Sequence, residues 1–467
     1  MSQTAARKTE YLEGPIGPLF ARTALPIVFL MSVNGLLTVV DAIFLGVFVG
    51  ADALAAVTLM FPIVMMFIAL ATLVANGMAS VLARQLGASD HAGARASFAG
   101  AHGLTVLTCL ALLALFFLGG EPLVRLAANG SATLAEYGYR YLQITVIAAP
   151  LAFVLSLQTT ALRVEGWVGF MAITGALVTV ANMAINFVLI AGLGWGVAGS
   201  AIGTALAQAI GLVIVLAFRA SGRGDLPAFA LPWQNWRTGW RDFLALGAPQ
   251  SLSFLGLSLG SGTILIMLQN TTLDDYDTTV AAYGIATRLL SFSFLGLMGM
   301  AQALQAIVGN NFGAGRRDRV ARTLRLGLVC GLAYAGTAQA IFSFGATGLA
   351  GLFVDDPAVI AEVGRLLPVI VAAYVLAGPA VMISTCFQAV GDALRAALLS
   401  LSRTYLFAIP LTLVLPVWFG EWGIWMAGPS AEVLLALVAL AVLVQAARSD
   451  GHDFGLVPRS LRGRAAL

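Results

Sequence analysis

A carboxylate stands inside the first long apolar segment of this chain, residues 20–48, where Asp41 has apolar neighbours on both sides. A charged side chain at bilayer depth costs roughly 3 kcal/mol or more, so it normally faces protein or a water-filled cavity. Asn34 and Thr38 precede Asp41 at successive spacings of 4 and 3 residues, which places the three side chains on one face of a helix. This pattern favours an ion or proton site. The alternative is a neutral, hydrogen-bonded Asp with a structural role.

Two further apolar segments of the same half also carry polar faces. Asn182 and Asn186 are 4 residues apart in the fifth segment, and Thr204 and Gln208 are 4 apart in the sixth. Polar side chains at this depth either hydrogen-bond neighbouring helices or form a site. Three polar faces in one half, one of them with a carboxylate, favour a site. We expect Asp41, Asn182, Asn186 and Thr204 to couple to an ion or proton, and Pro26, Asn34, Thr38 and Gln208 to line a substrate cavity.

The second half carries different polar residues. Its seventh segment has no acid, its eighth contains Arg288, and its twelfth contains Glu432. Glu432 is either a second protonation site or a structural partner of Arg288, and both interpretations stay open. We assign Arg288 to the substrate cavity together with the amides of Gln302 and Gln305.

The composition identifies the environment of these segments. The chain of 467 residues is 60% hydrophobic and 10% charged, with a mean hydropathy of +0.93. Soluble domains carry about 25% charged residues, so the composition predicts an all-α polytopic membrane protein. Apolar runs of about 20 residues or longer predict twelve membrane spans. The tenth is expected as one helix at 360–388 and the eleventh at 396–419.

The sequence also indicates that the chain consists of two similar halves, which arose by duplication. Gly87 in RQLGASDHAGA and Gly313 in NNFGAGRRDRV are 226 residues apart, and Trp195 and Trp422 are 227 apart. Two parallel six-span repeats are a known plan for transporters, with substrate sites near the membrane midplane. The expected division is an N-terminal segment at 1–19, lobes at 20–218 and 243–447, a linker at 219–242 and a tail at 448–467.

Basic residues indicate the orientation of the spans. Of the 25 Lys and Arg residues, all but Arg125, Arg140, Arg365 and Arg288 fall in segments on one side of the membrane, and we count Arg403 among those segments. Because basic residues concentrate in cytoplasmic loops, both termini are expected in the cytoplasm. Because the positions of the basic residues are explained by the cytoplasmic loops, they do not indicate a nucleic-acid partner, and we predict none. Trp233, Trp236 and Trp240 of the linker are expected at headgroup level.

Other residue types add little chemistry. The three cysteines, Cys109, Cys330 and Cys386, are far apart in apolar segments, so neither a metal site nor a disulfide framework is predicted. The N-terminus has no short apolar region before a cleavage site, so no removable signal peptide is expected. The tail sequence LVPRS is similar to a protease-site scar and could equally be native, and no prediction of the fold depends on it.

Several long motifs resemble one transporter family. LPIVFLMSVNGLLTVVDAIFLGVFVGADALAAVTLMFPI, RQLGASDHAGA and NNFGAGRRDRV are similar to the MATE (multidrug and toxic compound extrusion) transporters, and CFQAVGDALRAALLSLSR resembles their DinF-like branch. The resemblance implies twelve helices in two six-helix bundles around a V-shaped cavity, and antiport of organic compounds against protons or sodium without a cofactor. By position, Asp41 matches the family's first-helix carboxylate, and Pro26, Asn34, Asn182 and Thr204 match positions near it.

The chain departs from the family pattern in two places. Asn186 stands where some members have a second acid, and Leu257 and its neighbours are apolar where other branches have an acid in the seventh helix. An apolar setting makes the charged form of a lone carboxylate costly, which favours proton loading over sodium binding. We therefore expect export of lipophilic, often cationic, compounds by proton antiport, by a monomer in the bacterial inner membrane.

Two alternative functions would need other residues. A lipid-linked oligosaccharide flippase of the same superfamily would need a more cationic cavity, and Arg288 is the basic residue expected well inside a span. An integral membrane enzyme would need clustered catalytic groups, whereas His91, His102 and His452 are scattered along the chain. We therefore do not expect an enzyme.

Overall fold

The computed structural model describes residues 11–228, 235–271 and 275–449, with residues 454 and 456. Most of the predicted tail, the first ten residues and Trp233 of the predicted linker lie outside the described residues, and so does LVPRS apart from Leu456. The part of the chain that the structure describes is helical and contains no strand.

Six helices form the first half of the chain. They are α1 (Ile16–Phe48), α2 (Ala51–Gly87), α3 (His91–Ala127), α4 (Ala132–Val164), α5 (Val168–Phe187) and α6 (Gly196–Ala220), and a π-helical turn, Val188–Gly192, follows α5. Side chains fix several of the ends. Asp90 Oδ1 accepts a hydrogen bond from Gly93 N at 2.8 Å, and Ser131 Oγ accepts one from Leu134 N at 3.4 Å. Each satisfies an amide that the first turn of a helix leaves without an intrahelical partner.

The second half contains long helices and several shorter pieces. They are α7 (Trp240–Asn270), α8 (Tyr276–Gly313), α9 (Arg317–Phe344), α10 (Ala346–Ala350), α11 (Pro357–Ile370), α12 (Ala377–Val390), α13 (Ala393–Leu401), α14 (Ile409–Val414), α15 (Pro416–Phe419) and α16 (Glu421–Ser449). A 3₁₀ turn, Tyr374–Leu376, precedes α12, and a π-helical segment, Ser402–Ala408, joins α13 to α14.

Eleven helical segments of the described chain are long and apolar enough to span a membrane, and a bent pair would make a twelfth. The bent pair is α11 with Tyr374–Val390, which meet at 49°. The tenth predicted span, 360–388, is thus divided between two helices that meet at this bend. Gln339 of α9 fills the break, since its Nε2 donates to the carbonyl of Ala372 at 2.9 Å and its Oε1 accepts from Val375 N at 2.8 Å. The backbone groups freed by the bend thus find a side-chain partner.

The described helices group into two compact units. The first contains Leu25–Ser251, and the second contains Pro15–Ala24 and the chain from Leu252 onward. In the first unit, Phe67, Leu112 and Phe153 belong to a buried apolar core built by α2, α3 and α4. In the second unit, α9 and α12 cross closely at two glycines, and a Cβ on Gly378 would overlap the carbonyl of Gly331. The lobe boundaries given above stay predictions.

Candidate functional site

The site begins where α1 packs against α5 in the first unit. Gly175 of α5 allows this approach, because a Cβ there would lie 2.6 Å from Leu30 Cδ1 of α1. One helical turn further along α5, Thr179 Oγ1 donates to Asn34 Oδ1 at 2.9 Å. The polar face of α1 is therefore joined directly to the polar face of α5.

Asp41 is joined to α5 and α6 by a continuous chain of hydrogen bonds. Asn186 Nδ2 donates to Asp41 Oδ1 at 2.9 Å and to Asn182 Oδ1 at 3.3 Å. Asn182 Nδ2 donates in turn to Thr204 Oγ1 at 2.9 Å, and Thr204 Oγ1 donates to the carbonyl of Ser200 at 3.0 Å. Three helices thus converge on one carboxylate through amide and hydroxyl groups. The structure brings together all four residues that we expected at the coupling site.

The two asparagines that link Asp41 to Thr204 by hydrogen bonds are deeply buried. Asn186 is 0% exposed and Asn182 is 2% exposed, whereas Asp41 is half-buried. Gly203 of α6 makes the space, because a Cβ on it would lie 1.9 Å from Asn186 Oδ1. The same Oδ1 is buried and accepts no hydrogen bond within the described residues. An amide with a free, buried oxygen beside a half-buried carboxylate leaves one acceptor position for a proton donor or a cation.

Sequence reasoning missed a partner of Asn34, Thr179, and a neighbour of Asp41, Tyr141. Thr179 lies on the same face as Asn182 and Asn186, and its spacing of 3 residues from Asn182 was a usable signal. Tyr141 of α4 lies close enough to Asp41 for an electrostatic interaction. Tyr141 is placed there because α4 packs on the apolar cluster around Leu45. Packing between helices cannot be predicted from a local sequence pattern.

The remaining residues expected in the amino-terminal half lie outside this hydrogen-bond chain. Thr38 is exposed, and its hydroxyl donates to the carbonyl of Asn34 at 3.4 Å. Pro26 lies inside α1, two turns before Asn34. Gln208 is half-buried, one turn beyond Thr204 on α6.

In the second unit, the structure contradicts one of the two interpretations of Glu432. Glu432 does not pair with Arg288; its Oε1 accepts from Nε of Arg403 at 2.5 Å. Arg403 itself lies within the apolar span Ala393–Phe419, not in a cytoplasmic segment as expected. The predicted eleventh span, 396–419, already contains Arg403, but its partner could not be predicted from hydropathy, because the pair joins two segments that are 29 residues apart. Arg288 is exposed, Gln302 is half-buried and Gln305 is 2% exposed.

The described residues contain no group of three or more His, Cys, Asp or Glu side chains placed to hold a metal ion. The titratable group of the amino-terminal site is a single carboxylate surrounded by neutral amides and hydroxyls. Such a site can exchange one positive charge, as a proton or a small cation, as the surrounding helices change position.

Comparisons with known proteins identify the family of this chain. The sequence pattern of the MatE family matches residues 26–188 and 250–414. The chain is 26% identical to a protein of Shewanella oneidensis named FAD transporter, over 91% of this chain and 94% of that protein. It is 25% identical to the multidrug export protein MepA of Staphylococcus aureus, over 88% of this chain and 91% of that protein.

A solved structure supports the fold. The structure of a multidrug resistance MATE family transporter in its outward-facing conformation covers 93% of this chain and 96% of its own, with a TM-score of 0.85 at 22% identity. The chain is thus a multi-pass membrane protein with the twelve-helix fold of these transporters, and it belongs to the MATE family. Members of this family are transporters, not enzymes, and need no cofactor. The DinF-like branch stays a prediction.

Proposed function

We propose that the protein exports lipophilic, often cationic, organic compounds by cation antiport, with Asp41 as the group that carries the coupling ion. The observation that supports this most directly is the hydrogen-bond chain from Asp41 through Asn186 and Asn182 to Thr204. When Asp41 gains or releases the coupling ion, the hydrogen bond that its carboxylate accepts from Asn186 changes. Because Asn186 and Asn182 belong to α5 and Thr204 belongs to α6, this change affects both helices. The protein is proposed to act as a monomer in the bacterial inner membrane, with both termini in the cytoplasm.

We propose protons rather than sodium as the coupling ion. Asn186 presents an N–H group, not an oxygen, to the carboxylate of Asp41. Hard cations such as sodium need several oxygen ligands, whereas a proton needs one acceptor. With Asn186 in place of a second acid, the site also has a single negative charge with which to attract a metal cation.

Purified protein in proteoliposomes gives the test. A proton gradient imposed without sodium should drive substrate antiport, whereas a sodium gradient with pH clamped on both sides should not. Fluorescent lipophilic cations serve as substrates, and Asp41→Asn protein provides the matched inactive control. Transport driven by sodium alone would show that the proton assignment is wrong, and equal transport by the Asp41→Asn protein would show that the role of Asp41 is wrong.

A second candidate function is export of a flavin nucleotide. It is supported by the relative named FAD transporter, which is aligned over 91% of this chain. Competition between FAD and a lipophilic cation in the same proteoliposomes separates the two candidates, since a flavin exporter is inhibited by FAD at lower concentrations than by the drug.

A further inference from the structure

The second unit holds a charged pair that the proposed coupling site does not use. Arg403 lies in the π-helical segment Ser402–Ala408, ten residues after the start of the span Ala393–Phe419. At 1.5 Å per residue this puts its Cα on the order of 15 Å from the end of that span. π-helical turns inside helices are rare and occur frequently at functional sites. A guanidinium at this depth is costly in hydrocarbon, so it faces the bundle interior or a water-filled space.

The pairing of Arg403 with Glu432 leaves much of the guanidinium available. The side chain of Glu432 is 4% exposed and that of Arg403 is 39% exposed. The contact is a single bond, from Arg403 Nε to Glu432 Oε1. Within the described residues Glu432 Oε2 is buried and has no hydrogen-bond partner. A structural Arg–carboxylate pair is usually bidentate and satisfies both oxygens.

The two terminal amino groups of Arg403 have no hydrogen-bond partner among the described residues, and neither is buried. Arginine carries five N–H donors, four of them on these two groups. The buried carboxylate therefore holds the guanidinium by its Nε edge and directs the other edge toward open space. That edge has the geometry that binds a carboxylate or phosphate through two parallel hydrogen bonds.

Hydroxyl groups stand beside this pair. Tyr374 lies close enough to both Arg403 and Glu432 for electrostatic interactions, and its hydroxyl donates to Ser293 Oγ at 3.2 Å. Tyr334 donates to the carbonyl of Ser293 at 2.9 Å. The pair thus joins the π-helical segment to α16, and Tyr374 of the turn before α12 lies beside it. Ser293 of α8 and Tyr334 of α9 are joined to this group through the hydroxyl bonds, so the guanidinium lies on the side of its segment that faces the other helices of the unit.

We infer that Arg403, held by Glu432, is a subsite for an anionic group, a carboxylate or a phosphate, on molecules that the protein transports. The inference rests on the proposed transport function and extends its substrates to compounds that also carry an acidic group. Glu432 neutralises Arg403 while the subsite is empty, and the open edge binds the acid when a substrate arrives. The ligand class is therefore an organic compound with an apolar body and one acidic group.

Equilibrium binding to the purified, detergent-solubilised chain tests this without requiring transport. Two matched pairs serve as probes: a fluoroquinolone and its carboxyl methyl ester, and riboflavin 5′-phosphate and riboflavin. Wild-type protein should bind at least one acid more tightly than its neutral partner. Preference in the first pair identifies a carboxylate subsite, and preference in the second a phosphate subsite. No preference in either pair would overturn the inference.

Three variants assign the preference to Arg403. Arg403→Gln should weaken binding of the preferred acid about tenfold or more, the range expected for a hydrogen bond to a charged group, and leave the neutral partner unchanged. Arg403→Lys should retain part of the preference, because it keeps the charge without the planar edge. Glu432→Gln should tighten binding of the acid, because it removes the competing negative charge. A purely structural pair would instead weaken acid and neutral ligand equally in all three variants.

Asp41→Asn separates this inference from the proposed function. That variant should lose transport and keep the acid preference in binding. If the wild-type protein shows the preference but no ion-driven transport, the proposed function fails and the subsite stands. If transport occurs and Arg403→Gln leaves the acid preference intact, the subsite fails and the proposed function stands.

Discussion

Asn186 on α5 donates one amide group to both Asp41 on α1 and Asn182 on the preceding turn of its own helix. The carboxylate is thereby joined to the buried part of the bundle through a single side chain. Protonation of Asp41 removes the charge that this N–H group stabilises. A local change of charge therefore alters the contact between two helices, which is what coupling requires.

The first prediction concerns Asp41 itself. Asp41→Asn keeps the size of the side chain and removes its ability to gain and lose a proton. Expressed in cells that lack their own drug pumps, the variant should reduce resistance to lipophilic cations to the level of an empty vector. Asp52→Asn, in the exposed first turn of α2, is the matched control and should retain resistance. Resistance that survives Asp41→Asn at equal membrane expression would contradict the role.

The second prediction concerns the choice of ion. Asn186→Asp places two carboxylates side by side, and two such charges are stable together only if they share a proton or bind a cation. Transport by this variant should become dependent on sodium. Asn186→Ser removes the amide without adding charge, and it should lower proton-driven transport without creating a sodium dependence. If transport by Asn186→Asp did not depend on sodium, Asn186 would not be the residue that determines the choice of ion.

The third prediction concerns the space around Asn186. In Gly203→Ala, the new Cβ would lie 1.9 Å from Asn186 Oδ1, so the fully buried amide must move and break its bonds. Each lost bond to a charged or buried group costs roughly 1–3 kcal/mol, so transport should fall as it does in Asn186→Ser. Gly169→Ala is the matched control, because nothing lies within 4 Å of a Cβ at that helical position. Initial rates in proteoliposomes compare the two.

Helical spacing predicts which side chains share a face, and this accounts for the four side chains that the structure brings together. Asp41, Asn182, Asn186 and Thr204 meet because each helix turns its polar face toward the others. The sequence does not show which amide bonds which oxygen, since that depends on packing between helices. It also does not show that Arg403 pairs with Glu432, because the partner lies in a different helix, 29 residues further along the chain.

The break in the tenth span has the same origin. Most of its sequence is apolar, so hydropathy predicts one span, although Pro368 lies two residues before the first helix ends. Gln339, which belongs to another helix, binds the freed backbone groups at Ala372 and Val375. A contact made by a residue more than thirty positions away cannot be predicted from local hydropathy.

The fourth prediction concerns topology. Asp277 is exposed in the first turn of α8, and Arg317 is exposed at the start of α9. In a background without Cys109, Cys330 and Cys386, a cysteine at 277 should react with an impermeant maleimide on intact cells. One at 317 should react only after permeabilisation. The opposite result would place both termini outside the cytoplasm. Asp275 is avoided as a labelling site because its side chain caps α8.

The fifth prediction concerns a buried ion pair between α4 and α6. Arg219 Nη1 donates to Glu165 Oε1 at 3.0 Å, and both side chains are 0% exposed. The amide of Leu226 also donates to Glu165 Oε1, at 2.9 Å, and this bond ties the chain after α6 to the pair. Removing one partner of a buried pair typically costs about 3–5 kcal/mol, because the other charge is left uncompensated. Arg219→Met should therefore lower the melting temperature of the solubilised protein.

The loss of stability in Arg219→Met should become larger as the pH rises. Burial raises the pKa of Glu165, and the charge of Arg219 offsets part of that shift. In Arg219→Met the offset is gone, so the folded chain binds the proton more tightly than the unfolded chain does. Stability is then retained at low pH and lost as the pH rises through the folded pKa. The melting temperature of the variant, measured relative to wild type, should accordingly fall between mildly acidic and alkaline buffer.

The matched control is an exposed pair of the same chemistry. Arg125 and Glu121 contact each other on α3 with side chains 72% and 57% exposed, and such pairs contribute about 0–1 kcal/mol. Arg125→Met should leave the melting temperature nearly unchanged at every pH. Equal effects of the two substitutions would show that burial does not determine the strength of the Glu165–Arg219 pair. A pH-independent loss in Arg219→Met would instead show that Glu165 remains charged without its partner.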